Sequence, residues 1–337
     1  MERVVLRKNS GGYREYRIPG ILATKDALLM TCEARAEDMG DWGDIDIIVL
    51  RIKTGGEIEQ VLKIGESHLP ADGTMRTYNN PVLIPDGEKV HLIYHKNYEK
   101  AFIVTSSDGG INWTSSREIT ESFREFSYAW TVCATGPGHG IQMKKGRLVA
   151  PIWLANGEMY EDGLRRKHMP SVAGCIYSDD HGVTWHAGAL AEELENGNET
   201  TVAELEDGRL LFNYRNTSSD MHRRLGVSSD GGETIDCLWM SSELQDPRCC
   251  GGMASGKGYV AFSNCDSNCM RVDLTVKCSF DGGKSWVAFW KVDSAGGYSD
   301  IAIVDDEAYI FYERRSYETQ MIEELVLANK KLDGSEK

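Results

Sequence analysis

Side chains able to hold an anion or pass a proton stand in short motifs scattered through the 337 residues. They are Tyr16-Arg17-Ile18-Pro19, Glu33-Ala34-Arg35, Asp41-Trp42-Gly43-Asp44-Ile45-Asp46, Asn198-Glu199, Asn213-Tyr214-Arg215-Asn216, Arg271-Val272-Asp273-Leu274-Thr275, Tyr298-Ser299-Asp300 and Tyr312-Glu313-Arg314. Each type has its own use. A guanidinium is a planar fork that grips a carboxylate through two parallel hydrogen bonds, which an ammonium does not do. A carboxylic acid beside a breaking bond can give a proton and take it back. A phenol, neutral at rest with a pKa near 10, attacks carbon only with a base beside it. Asp38, Asp41, Asp44 and Asp46 crowd one segment, and the last two alternate with Ile45 and Ile47, as residues on one face of a strand do. Singly, such an arginine is a solvated surface charge, such a tyrosine a strand aromatic and such a glutamate a turn acid.

Other motifs imitate chemistry and fail on context. Gly283-Lys284-Ser285 has the tail of a phosphate loop, but the glycine needed five residues before Gly283 is Cys278. Gly136-Pro137-Gly138-His139-Gly140 contains a proline and opens no helical pattern, so His139 reads as structural. The nine cysteines are odd in number and none has Cys-x-x-Cys spacing; they read as buried or half-buried thiols of a reducing compartment. No metal and no cofactor is expected. The net charge of −15 argues against nucleic-acid and anionic-membrane partners. Apolar runs such as Ile47-Ile48-Val49-Leu50 fall far short of a bilayer span. Glu2, Arg3, Lys8 and Asn9 interrupt any apolar leader after Met1, and the expected location is cytoplasmic.

The elements that must position these residues announce themselves as a repeat. Ser-x-Asp-x-Gly-x-Thr-Trp recurs, with changes, at Ser106–Trp113, Ser178–Trp185, Ser228–Ile235 and Ser279–Trp286. Its aspartates Asp108, Asp180, Asp230 and Asp281 stand 72, 50 and 51 residues apart, and a worn copy lies at Lys53-Thr54-Gly55-Gly56. Each copy suits a hairpin turn: glycine takes positive φ, the Asp accepts from turn amides and the Trp packs back. Asp86-Gly87, Lys145-Gly146 and Asp207-Gly208 punctuate the intervals, giving four strands per period. A period near 50 is one propeller blade. The expectation is one all-β domain over residues 1–337, a six-bladed β-propeller of four-stranded antiparallel blades. Residues 121–140 are expected to form a long loop, and 318–330 alone carries a trace of helical periodicity.

With these motifs in this order, the chain resembles the exo-sialidase family, retaining neuraminidases with Asp-box repeats on a six-bladed propeller. The resemblance covers nearly the whole chain and implies roles. Arg17, Arg215 and Arg271 would clamp the carboxylate of a sialic acid, with Glu313 orienting Arg17 and Arg35 near the same end of the ring. A carboxylate nucleophile would meet a like charge on the carbon it attacks, and sialidases use tyrosine instead. Tyr298 matches that nucleophile and Glu199 its base, with the two expected in direct hydrogen-bonding reach. Asp41 matches the acid/base, with Asp44 the next candidate. The implied substrates are sialylated glycans or sialosides. The rivals are hydrolysis of KDN or Kdo ketosides, and a glycan-binding propeller without turnover. No lectin module is expected after the last blade.

Overall fold

Apolar runs here feed two interfaces at once. In Leu210–Tyr214, Leu210 and Phe212 pack with Val149 and Trp153, while Leu211 packs the other way with Val260 and Phe262. Strand side chains alternate faces, so a run buried on both reads as continuously apolar. The computed structural model describes residues 2–37, 40–53, 56–65 and 76–332, and its strands form six blades.

Blade 1 holds Glu15–Ala23, Leu28–Arg35, Ile45–Ile52 and Ile58–Ile64. Blade 2 holds Tyr78–Asp86, Lys89–Lys96, Lys100–Ser106 and Arg117–Glu118. Blade 3 holds Val132–Thr135, Leu148–Ala155, Ser171–Ser178 and His186–Leu190. Blade 4 holds Thr200–Glu204, Leu210–Tyr214, His222–Ser228 and Cys237–Gln245. Blade 5 holds Gly252–Gly256, Tyr259–Cys265, Leu274–Ser279 and Val287–Asp293. Blade 6 holds Gly296–Val304, Glu307–Arg315 and Ile322–Lys331, and takes its outermost strand, Glu2–Arg7, from the other end of the chain. That pairing closes the ring and protects an edge strand. The first strands of neighbouring blades pack on one another around the axis, except that Thr200–Glu204 of blade 4 meets blade 3 mainly through Leu148–Ala155. The six large apolar clusters correspond one to one with the six blade interfaces.

All four clear boxes join the third strand of a blade to its fourth. In each, the box Ser Oγ donates to the Asp and accepts from a glycine amide four residues on, as Ser279 does with Asp281 at 2.8 Å and Gly283 at 2.8 Å. The terminal Trp113, Trp185 and Trp286, and Ile235 in the third copy, pack into the interface with the preceding blade. The worn copy occupies the same position in blade 1, with Thr54 and Gly55 outside the described residues. Blade 6 has no such turn because its fourth strand comes from the N-terminal side.

Two expectations are corrected. Residues 322–331 form a strand, since tertiary pairing with Glu307–Arg315 overrides the weak helical period. The segment 121–140 is no single loop: it holds a helical turn ending at Arg124, the innermost strand of blade 3, and Gly138–His139 paired in parallel with Val82–Leu83. Much of the extra length of this blade is instead an arm at 156–170, pinned by a bridge between Met159 and Arg166. Seven cysteines are buried, while Cys237 and Cys269 are exposed. No helix among the described residues is long and apolar enough to cross a membrane.

Candidate active site

A cavity of about 410 Å³ opens on the axis at the end of the blades opposite the boxes. Arg17, Arg35, Asp41, Glu199, Arg215, Arg271 and Tyr298 all line it. Glu313 lies beneath, fully buried. The mouth at the other end of the axis is wider, about 730 Å³, but none of these residues reaches it.

Two buried acids build the floor in the same way. Glu313 accepts from Arg17 Nε at 3.1 Å and from the backbone of Ile18 at 3.2 Å and Tyr298 at 3.3 Å. Glu33 accepts from Arg35 Nη2 at 2.6 Å and from the backbone of Asn80 at 2.9 Å. Ile18 (φ 59°) and Asn80 (φ 51°) are left-handed residues at bulges of innermost strands. A β-branched residue rarely adopts that conformation, and bulges re-aim side chains. Each acid thus holds one arginine and one strained backbone turn. Burial pushes the Glu313 carboxyl up, but Arg17 and Arg271 outweigh it and leave it lowered.

Tyr298 sits on the first strand of blade 6 among three guanidiniums. Arg17 and Arg271 lie over its ring, 5.0 and 4.9 Å from the centroid, and Arg215 Nη1 donates to its hydroxyl at 2.7 Å. Arg215 Nη1 also bonds Glu199. The direct Glu199–Tyr298 hydrogen bond expected from the sequence is therefore replaced by an arginine between the two. The physical reason is charge: an anionic carboxylate bonds a cation in preference to a neutral phenol. Burial pushes the phenol pKa up, Arg215 pulls it down and Glu199 raises it again, so the phenol is held firmly protonated.

Asp41 stands across the cavity on the loop after Arg35, about half exposed, 3.2 Å from Arg35 Nη2 and 3.9 Å from Arg17 Nη1. Enclosure would raise its carboxyl; Arg35 and Arg17 outweigh that and hold it at about 2. Among the described hydrogen bonds it makes none to Tyr298. Asp44 does not line the cavity, and Asp46 bonds Tyr13 (2.5 Å) and Lys63 (2.8 Å). Asp38 lies outside the described residues. His139 bonds Asp300 at 2.9 Å near the axis; burial lowers its pKa, Asp300 outweighs this, and the pair reads as structural.

Residues 36–311 match a family described as a BNR repeat-like domain. The chain belongs to that family. It is 28% identical over 344 residues to the sialidase of Micromonospora viridifaciens, covering 90% of this chain and 50% of that one. It is 31% identical over 229 residues to a Bacteroides fragilis sialidase, covering 63% of this chain and 39% of the other. The solved structure of Hadza microbial sialidase Hz136 superposes with a TM-score of 0.79 at 23% identity, over 98% of this chain and 68% of that one. The chain thus spans about half the length or less of these two curated relatives.

Sequence reasoning missed a wall. Tyr98, Trp153 and His168 line the cavity, and Trp42 packs at a tilt against Tyr98 (4.8 Å between centroids) and lies 5.8 Å from His168. Trp42 follows Asp41 directly, so the loop that carries Asp41 rests on the 156–170 arm of this BNR domain. These aromatics come from the connections and strands of three blades, and no spacing could have revealed them. Glu33 and Asn80 were equally silent, although Glu33 lay within a quoted motif.

Proposed function

We propose that this chain is an exo-α-sialidase, a glycoside hydrolase that releases terminal sialic acids from sialylated glycans with retention. One observation carries the reading: three arginines, from blades 1, 4 and 5, converge on a single buried tyrosine, two over its ring and the third linking its hydroxyl to a carboxylate. A ketosidic sialic acid bears its carboxylate on the reacting carbon, so whatever grips that anion delivers the carbon to Tyr298. Arg215 Nη1 donates to both Glu199 and Tyr298. An entering carboxylate competes for that guanidinium, which frees Glu199 to accept the phenolic proton as the oxygen attacks.

Asp41 is the acid, on the opposite side. A carboxyl held at about 2 is ionised near neutral pH and cannot donate. The bound anion neutralises the field of Arg35 and Arg17, and the carboxyl rises toward a donor. It then protonates the leaving oxygen, and water attacks the tyrosyl intermediate with Asp41 as base. Arg35, anchored by Glu33, holds the loop that carries it.

Two inversions release the α anomer first. Proton NMR during the first minutes of cleavage of fluorogenic α-ketosides of N-acetylneuraminic acid, KDN and Kdo tests this. Early β anomer would mean direct attack by water and would remove Tyr298 from its role. Binding without release from any of the three would favour a glycan-binding propeller.

A further inference from the structure

Beyond the clamp, a further arginine reaches the cavity. Arg248 lies in the connection between blades 4 and 5, exposed at the rim and held at φ 57°, a left-handed conformation disfavoured for arginine. The connection is braced from below. Asp246 accepts from the Cys249 amide at 3.0 Å, and the fully buried Arg223 donates to Asp246 at 3.3 Å and to the Cys249 carbonyl at 3.1 Å. Arg248 Nη2 donates to the Thr217 carbonyl at 2.8 Å, and among the described residues Arg248 has no carboxylate partner. Its own carbonyl accepts from Arg271 Nη2 at 3.0 Å.

The argument from here rests on the sialidase reading. The ketosidic carbon carries both the carboxylate and the leaving oxygen, so a sugar on that oxygen begins beside the clamp. Arg271 belongs to the clamp and touches Arg248. We infer that Arg248 is an anion subsite for the leaving group, gripping a carboxylate or sulfate on the penultimate sugar. The enzyme then prefers acidic leaving groups, such as a second sialic acid, over neutral ones. The protein's charge of −15 repels such polyanions in general, which makes an unneutralised rim cation at the reacting end consequential.

The test compares kcat/KM of the wild-type chain and Arg248→Ala on three substrates: sialyllactose, α2,8-linked disialic acid and a sialyl-N-acetyllactosamine sulfated at O6 of its galactose. The substitution is expected to cost about tenfold more on the two acidic leaving groups than on sialyllactose, mainly in KM. A loss on only one of them identifies whether carboxylate or sulfate is the ligand. Arg248→Lys, which keeps charge without the fork, should fall between. Equal effects on neutral and acidic substrates overturn the subsite. Should the wild-type chain cleave none of the three, the hydrolase reading fails, and calorimetric titration with disialic acid decides the subsite. Weaker binding by Arg248→Ala then supports it, and equal binding overturns it.

Discussion

At one end of the blades each box aspartate is answered within its own eight residues; at the other, five arginines and two acids line the cavity. Asp281 takes the amides of Lys284 (3.1 Å) and Ser285 (3.0 Å) and the Ser285 hydroxyl (2.6 Å), and Asp230 repeats the pattern with Glu233 and Thr234. Nothing is left over for a ligand. Around Tyr298, by contrast, Arg271 bonds only a carbonyl among the described hydrogen bonds, and Arg215 divides its donors between an acid and a phenol. Identical strands therefore end in turns that satisfy themselves and in a site that remains short of negative charge. The difference marks one end whose turns satisfy themselves and another that keeps cationic groups to spare, as the proposed function requires.

Three substitutions bear on this contrast. Tyr298→Phe keeps the ring between Arg17 and Arg271 and removes only the oxygen; activity on a sialoside should fall by about 10³-fold or more with the fold retained. Turnover near wild type with unchanged circular dichroism would break the assignment of the two ends. Arg271→Lys keeps the charge and loses the fork, which should cost about 1.5–3 kcal/mol of transition-state binding, read as kcat/KM. An unaffected kcat/KM would remove Arg271 from the clamp. Ser279→Ala, at the far end, leaves the Gly283 amide buried without its acceptor. It should destabilise by about 1–2 kcal/mol in denaturant melts while kcat/KM per folded molecule stays constant. A large kinetic effect there would mean that the ends are coupled.

Much of the architecture was legible because its signals are local. The box residues contact one another within four positions, so their spacing survives in the chain as a readable pattern. Ile235 in place of Trp was readable as a departure and proves to fill the same interface. The arginines, Tyr298 and Asp41 were legible as residue types in motif order. The helical trace at 318–330 and the supposed loop at 121–140 were misread for one reason: their strands take their conformation from the strand they pair with, Ile322–Lys331 from Glu307–Arg315 and Val132–Thr135 from Leu148–Ala155, and not from a period of their own.

What the sequence determined by itself was the period, and with it the blade count and the hairpin turn at each box, because a turn needs only its own neighbours. It also determined the supply of guanidiniums and phenol. The tertiary structure decided what those groups touch. Arg17 and Glu313 are 296 positions apart, and Arg215 and Tyr298 are 83 apart. Such pairs meet across the axis of a ring that Glu2–Arg7 closes on blade 6. Whether Glu199 bonds a phenol or a cation, and whether Trp42 finds His168 beneath it, depends on competition among groups brought together from four blades. Contacts across that many residues leave no spacing to read, since loop length between them is free to vary while the geometry at the axis is not.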